Sequence, residues 1–199
     1  MKRFLKEWGL FLVIIFALLL PRLFIWFPVQ VDGHSMDPTL ANGEHLIVVR
    51  TTSIKHFDIV VAAEGNKNIV KRVIGMPGDT ITYENDMLSI NGKKVNETYL
   101  KQYKDKFAKD KLQKTYAYNQ YFQELASQST AFTTDEQGNA SFTIKVPKGR
   151  YLLLGDDRIV SKDSRHVGTF AKNKIVGEVK FRFWPLIRKY YDPLLFRHH

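Results

Sequence analysis

Ser35 stands in Asp32-Gly33-His34-Ser35-Met36-Asp37-Pro38-Thr39-Leu40, with a glycine two residues before it and a proline three after. Such a loop is tight and presents a hydroxyl, which suits a nucleophile. The same composition also describes a turn whose serine does no chemistry. A serine nucleophile needs a group to take its proton, most often a histidine held by a carboxylate. None of the six histidines has a fitting setting. His34 adjoins Ser35, where side chains of an extended loop point apart, and His198 and His199 end the chain. The Gly-x-Ser-x-Gly elbow fails because Asp37 occupies the second glycine's place, and no Ser-x-x-Lys occurs.

Lysine can be the base if it is neutral when needed. Bringing its pKa from about 10.4 to about 7–8 takes about 4 kcal/mol, which burial among apolar groups can supply. Lys71 has suitable neighbours, Asn68-Ile69-Val70-Lys71-Arg72-Val73-Ile74. On a strand Lys71 and Arg72 point opposite ways, so one can face a dry cleft while the other pairs with a carboxylate. The plainer reading is an edge-strand lysine that blunts aggregation. A third cluster, Gly155-Asp156-Asp157-Arg158-Ile159-Val160-Ser161-Lys162-Asp163-Ser164-Arg165, is dense in side chains that orient others. There Asp163 and Arg165 can pair, and Ser161 can hydrogen-bond a neutral lysine. Read blandly, it is a polar surface loop.

These residues must be positioned by the rest of the 199-residue chain, long enough for one sizeable domain or a domain with an appendage. With no cysteine, disulfides, thiolate nucleophiles and cysteine zinc sites are excluded. The net charge is +10, and Lys2, Arg3, Lys6 and Arg22 against Glu7 leave +3 in residues 1–27. A basic surface fits nucleic acid or anionic lipid, and the adjacent apolar stretch favours lipid. Residues 9–20, GLFLVIIFALLL, carry no charge. Twelve residues fall short of the roughly 20 needed to span a bilayer, but residues 23–29 complete the length if Arg22 snorkels. Trp8 and Trp26 lie near its ends, where interfacial aromatics belong. A cleaved secretory signal is the competing reading, but no small-x-small site follows the apolar core. The expectation is residues 1–7 in the cytoplasm, an uncleaved transmembrane anchor over 8–27, and residues 28–199 outside.

From residue 44 the signals are those of strands: Glu44–Arg50, Asp58–Ala63, Ile69–Ile74, Asp79–Tyr83, Met87–Ile90, Lys93–Val95, Ser141–Val146, Arg150–Leu154 and Ile175–Phe183. Asn91-Gly92 marks a hairpin. Between about 99 and 140 lies a different, inserted region. Leu100, Tyr103 and Phe107, and then Tyr118, Tyr121, Phe122 and Leu125, fall at helical spacing, and lysines crowd its first half. This predicts a solvated amphipathic helix packed on the sheet, then a polar loop over 127–140. Asn96-Glu97-Thr98 matches a glycosylation acceptor, a triplet that arises often by chance. The aromatic-basic end, Phe181 to Tyr191, reads either as a membrane-surface segment or as a last strand with a frayed tail.

Three segments together resemble one family. GHSMDPTL, DIVVA leading to IVKRVIGMPGD, and LLGDDRIVSKDSRHVG are similar, in order, to the boxes of bacterial type I signal peptidases. The resemblance covers most of residues 1–185, and residues 100–140 carry no family signal. It implies a mostly β fold of the kind shared with self-cleaving repressors, one N-terminal transmembrane helix and a partly helical insertion. It implies a membrane-bound serine endopeptidase that cuts signal peptides from preproteins after small-x-small sites of the Ala-x-Ala kind. Carried over by position, Ser35 is the nucleophile, Lys71 the general base and Ser161 the residue that orients it. Asp156, Arg72, Asp163, Arg165 and Arg158 are structural groups near the site, with Asp156 pairing Arg72. Val31, Met36, Leu40 and Val70 line pockets for small substrate side chains.

Two departures stand out. Gly33 occupies a position where Gram-negative members have a serine or threonine donating to the oxyanion, so the hole rests on the Ser35 backbone N–H and a donor yet to be found. Glycine there suggests the Gram-positive subtype. Asp157 replaces a more usual asparagine. No metal or cofactor is implied, and the expected partners are preprotein signal peptides, the lipid bilayer and the secretion translocon, not nucleic acid. A self-cleaving repressor should carry a helical DNA-binding domain where this chain has its apolar segment. A non-catalytic anchored binding protein would have no reason to keep Ser35, Lys71 and Ser161 together.

Overall fold

A computed structural model describes residues 8–16, 25–50 and 53–185. Short runs rich in β-branched residues recur between turn signals, and eleven strands form within the described part. In chain order they are β1 (Trp26–Gln30), β2 (His45–Val49), β3 (Ile59–Glu64), β4 (Lys67–Gly75), β5 (Thr80–Glu84), β6 (Met87–Ile90), β7 (Lys93–Val95), β8 (Ser141–Lys145), β9 (Arg150–Leu154), β10 (Phe170–Ala171) and β11 (Ile175–Trp184). Helices α1 (Lys101–Asp110) and α2 (Gln120–Gln128) lie between β7 and β8, and the single-turn α3 (Ser164–Val167) follows β9.

Seven strands make one sheet in the order β1-β2-β11-β3-β4-β9-β10, and four make a second in the order β7-β6-β5-β8. Alternation sets the faces: along β2, Leu46 and Val48 are buried while their neighbours are partly exposed. β3 and β4 pair with Ile59 opposite Arg72 and Val60 opposite Lys71, and β9 pairs on β4's other side with Leu154 opposite Arg72. β4 is therefore central, and a charged pair on a central strand must find partners inside the protein. The β6–β7 hairpin turns at Asn91 and Gly92, both at positive φ, which suits the two-residue turn their pairing demands.

Two expectations change at the ends of the chain. Residues 8–16 are helical, and the remainder of the expected anchor before Ile25 lies outside the described residues. Its distal end is a strand: Trp26 and Phe27 pair with Val49 and Val48. The stretch cannot continue as a spanning helix to residue 27, because these backbone groups are committed to a ladder. β1 ends the sheet order, and an edge strand tolerates the missing N–H of Pro28. Among the described residues, no helix is long and apolar enough to cross a membrane. The C-terminal aromatics Phe181, Phe183 and Trp184 belong to β11 and are exposed; residues 186–199 lie outside the described part.

The insertion is more than a solvated helix. Tyr99, Leu100, Tyr103, Phe107, Leu112, Tyr116, Ala126 and Phe132 form a cluster of their own. Burying a side chain of Phe or Leu size contributes roughly 1.5–3 kcal/mol, so the cluster gives the region a core of its own. α1 stops where Lys111 and Leu112 enter the left-handed region, and α2 starts at Asn119, whose side chain accepts from Phe122 N–H. Within the expected polar loop, Phe132 and Thr133 are buried. The carboxylate of Asp86 accepts from both of their N–H groups. Phe132 and Thr133 are thereby held inside, while Glu136 to Asn139 of the same segment are exposed as expected.

Candidate active site

The loop carrying Ser35 leaves β1 at Val31 and returns to β2. Backbone turns close it, Asp37 N–H donating to His34 O at 3.1 Å and Leu40 N–H to Met36 O at 2.9 Å. Gly33 has φ +92°, a conformation that favours glycine, and its N–H donates to Asn42 Oδ1. β4 brings Lys71 to the loop, with Lys71 Nζ 2.6 Å from Ser35 Oγ across 36 positions of sequence. Met36 and Leu40 point from the loop into the core between β2 and β3, which fixes the loop beneath the hydroxyl. Among the described residues, Ser35 N–H meets no acceptor.

Lys71 is 3% exposed, and burial pulls its pKa below the ordinary 10.5. The carboxylates of Asp163, Glu64 and Asp156 oppose that pull, and Arg165 adds to it. Desolvation is the largest cause, so the neutral amine, the form that can accept a proton, is easier to reach here than in water.

The Gly155–Arg165 segment, which follows β9, is packed under the dyad. Arg72 Nε and Nη2 donate to the two oxygens of Asp156 at 2.8 and 2.7 Å, and Thr39 Oγ1 donates to the same carboxylate. Thr39 thereby ties the serine loop to the pair. Asp163 and Arg165 form a two-point pair, with both contacts at 2.9 Å. Arg165 also donates to the carbonyls of Arg158 and Ser161, and Gly155 N–H donates to Asp163. Burial opposes ionisation of Asp163, but Arg165 and these donors hold its carboxyl at about 2. Asp157 N–H donates to Ser35 O at 3.1 Å, joining this segment to the nucleophile's own peptide.

Ser161 is brought to the site but not into the contact the resemblance implies. Its Oγ is buried and makes no hydrogen bond with Lys71; it lies instead on the side of the Asp163 carboxylate, whose ionised form it favours. It is packed against Gly155, where even a methyl group would overlap Ser161 Oγ and the Ser35 carbonyl oxygen. Val31, Met36 and Leu40 are buried in one apolar cluster with Val70 half-buried beside it. Arg158 faces away into the insertion. It donates to Glu97, Tyr83 and the Gly155 carbonyl, and its side chain is fully buried. Asp157 is fully buried and accepts from Tyr116 Oη at 2.6 Å, while its second oxygen has no partner.

Sequence reasoning missed Thr39, Glu97, Tyr83, Tyr99 and Tyr116 as members of this network. Thr39 lay within the recognised stretch and its hydroxyl was the available signal. Glu97 sits 61 residues from Arg158 in a triplet that reads as a glycosylation acceptor, and nothing local marks it as a buried ion-pair partner. Its carboxyl, opposed by burial, is held at about 2 chiefly by Arg158 and Lys104.

Residues 5–184 match the family described as signal peptidase, peptidase S26. The chain is 58% identical over 196 residues to signal peptidase I of Streptococcus pneumoniae strain R6, covering 94% of this chain and 96% of that protein. It is 40% identical to signal peptidase I of Bacillus caldolyticus, covering 90% of this chain and 91% of the relative. Signal peptidase IB of Staphylococcus aureus is also 40% identical, at 93% and 92% coverage. A crystal structure of a signal peptidase I from Enterococcus faecalis aligns with a TM-score of 0.48 at 28% identity, over 65% of this chain and 98% of that one. The extent of these sequence matches places the chain in the peptidase S26 family of signal peptidases.

Proposed function

We propose that Ser35 is the nucleophile and Lys71 the general base with which this serine peptidase removes signal peptides from preproteins. The observation that carries the assignment is the 2.6 Å approach of Nζ to Oγ by a lysine that is 3% exposed. A neutral Lys71 takes the Ser35 proton as Oγ attacks the scissile carbonyl. The resulting ammonium returns that proton to the departing amine of the mature protein, leaving an ester on Ser35. Lys71 then takes a proton from water as it attacks the ester and passes that proton to Ser35 Oγ as the ester bond breaks, so the serine is restored and the signal peptide leaves as a carboxylic acid that ionises in water.

The free N–H of Ser35 is available to the oxyanion. Gly33 N–H is not, since it is spent on Asn42. Of the four expected pocket residues only Val70 keeps exposed surface, and it lines the apolar wall that admits small residues at the −1 and −3 positions, while Val31, Met36 and Leu40 pack behind it in the core. The apolar residues 9–20 anchor the enzyme in the bilayer, where the signal peptide's own apolar segment lies. Lys2, Arg3 and Lys6 keep the N-terminus in the cytoplasm and place the β-rich body outside, beside the secretion translocon. The exposed Phe181, Phe183 and Trp184 suit a surface close to lipid headgroups.

The test is cleavage of a preprotein in detergent, with N-terminal sequencing of the product. Ser35→Ala and Lys71→Ala should each abolish cleavage while circular dichroism shows a folded chain. Full activity in either variant rules out the dyad.

A further inference from the structure

One of the insertion's buried side chains reaches the segment under Ser35. Tyr116 lies in the connection between α1 and α2 and is fully buried. Its hydroxyl donates to Asp157 Oδ1 at 2.6 Å. Asp157 in turn donates its N–H to Ser35 O, and its carbonyl accepts from Ser161 N–H at 3.0 Å. The insertion meets the serine loop a second time, with the Tyr118 and Phe122 rings 5.1 and 6.0 Å from the His34 ring.

We propose that Tyr116 is a positioning residue for hydrolysis: through Asp157 it holds the Ser35 peptide, and so sets the direction of the Ser35 hydroxyl and N–H. This inference rests on the Ser35/Lys71 assignment. The Ser35 carbonyl and the peptide plane beyond it turn together, so the Asp157 N–H that grips the carbonyl restrains the nucleophile. Asp157 can grip only while its own side chain is held. Its Oδ2 has no partner, and burial, with Asp37 nearby, raises its carboxyl to about 7. The Tyr116 hydroxyl is the largest influence against both, donating to Oδ1, with the Val160 and Ile159 backbone N–H groups adding to it. Without it, a carboxyl with no side-chain donor would move toward water and draw its N–H from Ser35.

The experiment measures kcat and KM on a synthetic preprotein peptide, using the full chain in detergent. Tyr116→Phe removes one hydroxyl and should lower kcat about tenfold with KM within about twofold, the signature of misplaced reacting groups. Asp157→Asn keeps an acceptor for Tyr116 and should stay within about threefold of wild type, whereas Asp157→Ala should fall as far as Tyr116→Phe. Adding Tyr116→Phe to Asp157→Ala should cost nothing further, because the tyrosine acts through the aspartate. Tyr121→Phe, at an exposed site in α2, should be unchanged.

A wild-type kcat for Tyr116→Phe overturns the proposal. So does a change in KM alone, or an undiminished further loss in the Asp157→Ala background. If Tyr116→Phe does not fold, equal kcat values for Asp157→Asn and Asp157→Ala overturn it as well. Ser35→Ala is assayed in parallel. Its inactivity beside a fully active Tyr116→Phe defeats only the positioning role, whereas cleavage by Ser35→Ala defeats the dyad itself.

Discussion

Arg72 grips both carboxylate oxygens of Asp156 and lies with its guanidinium carbon 4.0 Å above the Tyr99 ring. Because neighbouring residues on a strand face opposite ways, that grip also decides where Lys71 points. β4 cannot roll about its axis without breaking a pair that is almost wholly removed from water, with side chains 3% and 0% exposed. Asp156→Ala should therefore do two things at once. It strands a buried guanidinium, and breaking such a pair costs about 3–5 kcal/mol. It also frees the strand that aims Lys71. Urea unfolding should report the first effect, and preprotein cleavage at a temperature where the variant is still folded should report the second. Unchanged cleavage by a destabilised variant would show that the pair supports the fold and not the dyad.

Gly155 offers a sharper steric test. Its Cα sits where any side chain would strike Ser161 Oγ, Ser161 Cβ and the Ser35 carbonyl oxygen. One of the three is backbone, and it belongs to the nucleophile. Gly155→Ala must push the Ser35 peptide away or displace Ser161. Displacements of about 1 Å at a reacting group can cost on the order of 100-fold in rate. The expected outcome is a folded chain with kcat reduced to that extent. Near-normal kcat would mean that the serine loop yields without moving its hydroxyl.

Several strands were legible in the sequence because they bury one face against a core, and alternation records that directly: residues 80–84 and 141–145 carry it openly. The residue types around Ser35 and Lys71 leave a plain turn and an edge-strand lysine open, and only the resemblance of three segments together singles the pair out; the structure brings the two within 2.6 Å. The missing parts are those that sequence periodicity does not record. Trp26 and Phe27 continue an apolar run, and only their pairing with Val49 and Val48 separates strand from anchor. Glu97 accepts from Arg158, Tyr83 and Tyr99, contacts that span up to 61 residues and leave no local pattern. Phe132 and Thr133 are buried because Asp86, 46 and 47 residues earlier, caps their N–H groups. Ser161 shows the converse limit. A motif marks it for the Lys71 neighbourhood, yet the packing against Gly155 decides where its hydroxyl goes.

Lys71 separates catalytic fitness from stability. Burial lowers its pKa below 10.5, so cleavage at saturating and limiting substrate should rise with pH through an apparent pKa below that of free lysine. The same shift has a sign for folding. The unfolded chain holds the lysine proton up to about pH 10.4, whereas the folded chain gives it up earlier. The contribution of this residue to stability is thus full above the unfolded value and is lost as pH falls through the folded one. Lys71→Met replaces the amine with an unbranched apolar side chain of similar length and removes that loss. It should be inactive and should also withstand more urea than wild type near neutral pH, with the advantage shrinking as pH approaches about 10. The opposite result, a Lys71→Met chain that unfolds more easily at neutral pH, would mean that the attraction of Asp163, Glu64 and Asp156 outweighs burial. The resting lysine would then be an ammonium, and a proton would have to leave it before Ser35 could be activated.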